Sequence, residues 1–268
     1  MMGERNRTIA GCAAVLLLAT LLLAAWPLAS AAYACGNESL GGGEVAAIED
    51  ARTLRLADGR LIRLAGIEWG LPPAAAREEL AKLVLGRPVT LSGAAAKTAG
   101  SPDRYGRIHA FPAVNGSETP LQYALLDRGL AVAGTRIGDP ACAKALLVRE
   151  RAARAARLGI WGSGDYRLHQ ADDPAAILQD MGRFAIVEGR VVSVRESGST
   201  VYVNFGRRWS EDFTVTIAKR TEPAFISAGR APRSLAGRVV RVRGVIEERS
   251  GPWIEAVVAD QFDWDGRP

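Results

Sequence analysis

Apolar and polar residues alternate along most of the chain, and the period of the alternation changes several times. Residues 9–34 carry no charge, with "AAVLLLATLLLAAW" as their apolar centre. After three glycines at 41–43, "EVAAIED" and "TLRLADGRLIRLAGI" alternate with the two-residue period of half-buried strands. "ADGR" at 57–60 supplies a turn between two of them. Leu54, Leu56, Leu61 and Leu64 can face a core while Arg55 and Arg60 face water. "AAAREELAKLVLG" shifts to helical spacing and stops at Gly86. "RPVTLSG" and "GRIHAFPAV" read as strands, and "PLQYALLDRGLAVA" as a short helix and then a strand. "ACAKALLVRERAARAARLGIWG" predicts a long amphipathic helix ending near Gly159.

"GSGDYRLHQADDP" reads as a linker. Beyond it, strand patterns dominate. "FAIVEGRVVSVRES", "TVYVNFG", "DFTVTIAK", "GRVVRVRGVIEERS" and "PWIEAVVADQFDW" are five strand candidates, with the insert "EPAFISAGRAPRSLAG" between the third and fourth. That is the strand order of an oligonucleotide/oligosaccharide-binding (OB) barrel. The expected organisation is a targeting segment over 1–34, a linker over 35–43, a first domain over 44–162, a linker over 163–182 and a second, OB-like β-barrel domain over 183–265. The fold class is mainly β with helices, an α+β chain.

The N-terminal segment resembles an export signal. Arg5 and Arg7 precede the apolar run, and "ASA" at 29–31 and "AYA" at 32–34 are small-residue cleavage sites. The run is also long enough to span a bilayer as a retained anchor. Cys35 after the second site leaves lipidation open, although Ala32 stands where such sites usually carry leucine. The expected location is therefore exported, periplasmic or secreted, with any membrane contact made through this segment or Cys35. If Cys12 leaves with the signal, Cys35 and Cys142 remain, and two cysteines in an oxidising compartment predict one disulfide. Two histidines, His109 and His169, and that cysteine pair are too few ligands for a zinc site. At 268 residues, 48% hydrophobic and 24% charged, the chain can bury ordinary cores, and a net charge of +5 permits a polyanion partner without requiring one.

"TLRLADGRLIRLAGIE", "PDRYGR" and the closing "RAARLGIW" make residues 44–162 resemble the staphylococcal-nuclease-like (thermonuclease) family. The resemblance implies an OB-fold barrel with helices. It also implies calcium-dependent hydrolysis of phosphodiester bonds in DNA and RNA, with two arginines gripping phosphate and a glutamate as base. The arginines fall on Arg63 and Arg107. The family's Asp-Gly-Asp-Thr stretch reads "DART" at 50–53, so Asp50 is kept but the metal-binding acid becomes Arg52. The second calcium carboxylate falls on Glu68, and the base position holds Leu71. Two unit charges about 4 Å apart at an effective dielectric near 20 interact by about 4 kcal/mol, so a guanidinium opposes a dication there. Asp50 and Glu68 remain metal candidates, and Glu44 and Glu49 lie close enough in sequence for a rearranged site.

Three readings of this cluster follow: structural ion pairing, with Arg63 paired to Glu68 and Arg52 filling the metal's place as an ion-pair partner; anion binding without catalysis; and altered hydrolysis. Asp103 and Tyr105 in "PDRYGR" read as turn-shaping residues, and Tyr105 is also a candidate for contact with substrate. In the C-terminal half, alternation turns Tyr202, Arg241 and Arg243 outward, and "GRRWS" adds Arg207, Arg208 and Trp209. Aromatics interleaved with arginines are the ingredients of single-strand binding. Glu211, Glu247 and Glu248 dilute the positive charge, and Trp253 and Trp264 read as packing residues. The candidate partners are nucleic acid or another polyanion, and, for a non-enzymatic envelope module, a protein or glycan.

Overall fold

Strand β1 (Glu38–Asp50) is long enough to serve two neighbours. The computed structural model describes residues 35–36, 38–70, 72–93, 100–114, 116–135, 137–208 and 210–263, so the expected targeting segment lies outside the described residues. The first part of β1 pairs with β5 (Pro88–Gly93) and the second with β2 (Thr53–Leu56). Irregular register between Ser39 and Gly42 and again between Val45 and Ala47 lets the strand bend from one partner to the other. Gly42 is required at the bend, because a Cβ there would meet the Val89 carbonyl oxygen at 2.3 Å. The 35–43 segment is thus no linker. Gly41, Gly42 and Gly43 are strand residues, and Cys35 is buried and bonded to Cys142 with their Cα atoms 4.6 Å apart.

β3 (Leu61–Leu64) and β6 (Arg107–Val114) complete a closed barrel in the order β1-β2-β3-β6-β5. Val45, Leu54, Leu56, Ile62, Leu64, Val89, Leu91 and Phe111 fill its interior. β3 and β6 run parallel and place Arg63 beside His109 and Leu61 beside Arg107. β4 (Ile67–Trp69) leaves the barrel to pair with β7 (Ala131–Ala133). Helix α1 (Pro73–Val84) buries Ala76, Leu80 and Val84 and gives way to Gly86 at φ 69°. α2 (Leu121–Asp127) and α3 (Pro140–Ala155) pack together. Asp139 caps α3 by accepting from the N–H groups of Ala141 and Cys142, at 2.8 and 3.1 Å. A short helix, α4 (Ile160–Ser163), follows.

The expected linker at 163–182 is also structured. β8 (His169–Gln170) pairs parallel to β9 (Phe184–Arg190), and α5 (Pro174–Leu178) starts on an Asp173–Pro174 cap-and-proline pair. His169 is buried, its Nε2 2.7 Å from Asp180 Oδ2. The remaining elements are β10 (Ser193–Ser197), β11 (Thr200–Asn204), β12 (Thr214–Ala218), α6 (Glu222–Ser227), β13 (Val239–Val245), β14 (Glu247–Glu248), β15 (Pro252–Ala256) and β16 (Phe262–Asp263). The strand order and the helical insert follow the sequence pattern. The ladders, however, form a five-stranded sheet, β10-β11-β12-β15-β14, and a four-stranded one, β16-β13-β9-β8, instead of one five-stranded barrel. Three strand candidates break in two. At the first break Val191 donates to Arg238 O, beside β13, and Val192 to Asn204 O, beside β11, so the chain passes from one sheet to the other.

β13 explains the largest departure from expectation. Val240 and Val242 enter the C-terminal core as alternation requires. The opposite face meets α3 of the N-terminal half, and Arg243 there is fully buried.

Candidate functional site

The barrel edge formed by β2, β3 and β6 gathers the residues picked out from the sequence. The tight turn after β1 holds Asp50, whose carboxylate accepts from the Arg52 N–H at 2.7 Å and Thr53 Oγ1 at 2.9 Å. Thr53 is the register partner of Arg63. Arg63 Nη1 therefore reaches both Asp50 oxygens and Thr53 Oγ1, each at 3.0 Å. Hydrogen bonds to Asp50 from Arg52 N–H and Thr53, and the Arg63 charge, outweigh burial and hold its carboxyl below the usual value.

Arg52 turns inward. Its Nη1 forms an ion pair with Glu68 Oε1 and donates to the Ile67 carbonyl at 2.9 Å. Glu68 is the expected metal carboxylate, and a guanidinium already occupies it. Burial pushes the Glu68 carboxyl above its ordinary value, and Arg52 only partly offsets this.

Arg107 is held by the "PDRYGR" turn. Asp103 Oδ2 accepts from Arg107 Nε at 3.0 Å and Nη2 at 2.8 Å, while Oδ1 accepts the N–H groups of Tyr105 and Arg107. Asp103 thus shapes the turn and orients the arginine together. The Arg107 guanidinium lies 4.8 Å from the Tyr105 ring centroid, and Tyr105 itself is 60% exposed. His109 Nε2 is 3.3 Å from Asp103 Oδ2.

Arg52, Arg63, Glu68, Arg107 and His109 line one cavity of about 600 Å³. Its other wall comes from the C-terminal half, with Phe184, Val245, Glu247 and Glu255. Burial first, and then the neighbouring Arg52 and Arg107 charges, push Arg63 below the ordinary arginine value, against the pull of Asp50. Among the described residues no acceptor engages Arg63 Nε or Nη2, so a forked donor pair remains for a ligand. Three guanidinium groups face three carboxylates, Asp50, Glu68 and Asp103, so the cluster is balanced in charge.

These residues do not fit calcium. Asp50 is saturated by donors, and the Glu68 carboxylate that a dication would need is already paired with the Arg52 cation. Among the described residues no three His, Cys, Asp or Glu side chains gather as a metal-holding group. Glu49 turns away and accepts from Arg55 Nε at 2.6 Å. Leu71, Trp209 and Trp264 lie outside the described residues.

Residues 66–163 match the family described as staphylococcal nuclease homologue. This part of the chain is a staphylococcal nuclease homologue domain. No curated protein matches the chain. The match includes Glu68 and Arg107 but begins after Asp50, Arg52 and Arg63 on the first strands of the same barrel, and it ends before the two-sheet half.

The C-terminal candidates separate. Tyr202 is half-buried and edge-on to Trp253, with ring centroids 6.0 Å apart. Arg207 and Arg208 are exposed, and Arg208 pairs with Glu211 at 2.8 Å. Arg241 and Arg243 are not on a nucleic-acid surface. Arg241 Nε is 2.6 Å from Glu188 Oε2. Arg243 donates to Glu150 Oε2 at 2.8 Å, to Glu150 Oε1 at 3.1 Å and to Ala133 O at 2.8 Å. Burial opposes the Arg243 charge, but Glu150 and Asp263 outweigh it and hold its pKa up. Arg154 adds a bond to Glu150 at 3.3 Å, and Arg151 forms an ion pair with Asp263. The sequence reading missed this network, although a signal was present. Glu150 falls on the apolar stripe Ala143–Leu146–Leu147–Ala153 of the long helix, where a carboxylate must be buried and partnered.

Proposed function

We propose that this protein binds phosphate groups of nucleic acid without cleaving them by the calcium route. The carrying observation is Arg52, whose guanidinium takes both the Glu68 carboxylate and the Ile67 carbonyl. Arg63 and Arg107 are the phosphate contacts, with Tyr105 at the rim. Because the cluster is balanced in charge, binding is weak, and its salt dependence is modest. Two phosphate contacts on a single strand give a slope of log K against log salt of about −1.4. The protein acts in an exported compartment, a reading supported by the apolar N-terminal segment and the Cys35–Cys142 bond.

The test is a digestion assay on single-stranded DNA with and without calcium, beside a salt titration of binding. The expected result is no calcium-stimulated cleavage, and binding that Arg63→Ala and Arg107→Ala each weaken. Calcium-stimulated cleavage that a chelator and Arg63→Ala both abolish would overturn the proposal. Recovery of both cysteines as free thiols from the cell envelope would overturn the export reading.

A further inference from the structure

We propose that the outer face of the five-stranded sheet continues the arginine cleft as a stacking platform for the bases of a single-stranded nucleic acid, with Tyr202 as the stacking ring and Arg220 as a phosphate contact. This rests on the phosphate-binding reading of the cleft and extends it to a second site.

A separate cavity of about 390 Å³ lies on that face, lined by Tyr202, Thr216, Arg220, Arg249, Trp253 and Glu255 among others. Strand register builds it. Arg195, Tyr202, Thr216 and Glu255 are successive partners across β10, β11, β12 and β15, so their side chains share one face. Val201, Val203, Val215 and Ile254 take the opposite face and fill the core. Trp253 meets Tyr202 at 83°, fixing the tyrosine ring without covering it face to face. Arg249 covers the tryptophan at 5.1 Å from the ring centroid, leaving Tyr202 as the ring for a base.

Two features join this cavity to the cleft. Glu255 lines both. Glu247, on the cleft wall, accepts from Arg249 Nη2 at 2.8 Å, and Arg249 lines the platform. A strand with one phosphate on Arg63 and Arg107 therefore meets the platform along the same surface.

Charge favours a polyanion over a neutral glycan. Arg195 and Arg220 are exposed on this face, and among the described residues Arg220 has no ion-pair partner. Stacking accepts any base, so the occupant is single-stranded nucleic acid without sequence preference.

The experiment measures fluorescence anisotropy of a labelled deoxythymidine trinucleotide and of an oligomer of about 12 nucleotides, within the span one such module covers. The full protein is used in low salt. The expected result is tighter binding of the longer oligomer. Tyr202→Ala weakens it about 5- to 150-fold and leaves the trinucleotide unchanged. Arg220→Glu, at an exposed position that does not threaten folding, also weakens the longer oligomer and makes its salt slope shallower by about 0.7.

If the trinucleotide binds but neither variant changes the longer oligomer, the platform falls and the cleft reading stands. If Arg63→Ala leaves both oligomers bound as before, the cleft reading falls and the shared track with it. A neutral N-acetylglucosamine oligomer that displaces the 12-mer in wild type but not in Tyr202→Ala would reassign the face to glycan and overturn the proposal.

Discussion

Replacing Arg243 by methionine removes the cation from the charge network between α3 and β13 while keeping much of its apolar length. Glu150 would then keep only the Ala133 N–H at 2.7 Å and Arg154 at 3.3 Å, inside a site where both Arg243 and Glu150 are closed from solvent. The Ala133 carbonyl would lose the donor it has at 2.8 Å. Breaking one side of a buried pair costs about 3–5 kcal/mol, because the remaining charge stays desolvated and uncompensated. At about 2–4 °C per kcal/mol for a chain of this size, the midpoint of thermal unfolding falls by about 6–20 °C. Urea unfolding of wild type, Arg243→Met, Glu150→Leu and the double variant measures the coupling. The double variant should recover part of the loss, since two apolar groups replace two charges, but not all of it, since the Ala133 N–H is left without an acceptor. An Arg243→Met protein within about 1 kcal/mol of wild type, or one that loses oligonucleotide binding at unchanged stability, would refute the buried placement.

Two further outcomes are expected. Reduction of the Cys35–Cys142 bond, or Cys35→Ser, opens a link spanning 107 residues, and chain entropy gives a loss of about 4–5 kcal/mol, read from urea unfolding with and without dithiothreitol. The Arg107 guanidinium, with the Arg107 and Tyr105 N–H groups, holds the Asp103 carboxyl well below its ordinary 3.8. A depressed folded-state pKa contributes stability that is complete above the unfolded value and lost as pH falls below it, so Asp103→Asn flattens the loss of stability below pH 3.8, followed as unfolding midpoint against pH.

The N-terminal barrel was legible because its signals are local. Two-residue alternation placed Leu54, Leu56 and Leu64 inward, but Leu61, read the same way, is half-buried and Ile62 takes the interior; "DRYGR" carried Arg107 on a turn whose carboxylate also orients it. The identity of residue 52 could be read as a cation, but not its destination. Only the fold brings Glu68 and the Ile67 carbonyl to it. Arg243 was misread for a related reason. Alternation assigns a side chain to a face of a strand and says nothing of what covers that face, and here the cover is a helix about ninety residues earlier, Glu150 being 93 positions away. The supposed linkers failed differently. Glycines at 41–43 suggested slack, whereas Gly42 is there because another strand passes too close for a side chain. "ADDP" suggested a loop, whereas Asp173 and Pro174 start a helix.

The carboxylate of Glu150 belongs to one half of the chain and its counter-ion to the other. Neither half is therefore a portable fragment. Cutting the chain after α4 would part the acid from its guanidinium, and each piece would expose the surface that the other now covers. Any shuffling of such modules between chains has to carry both members across together.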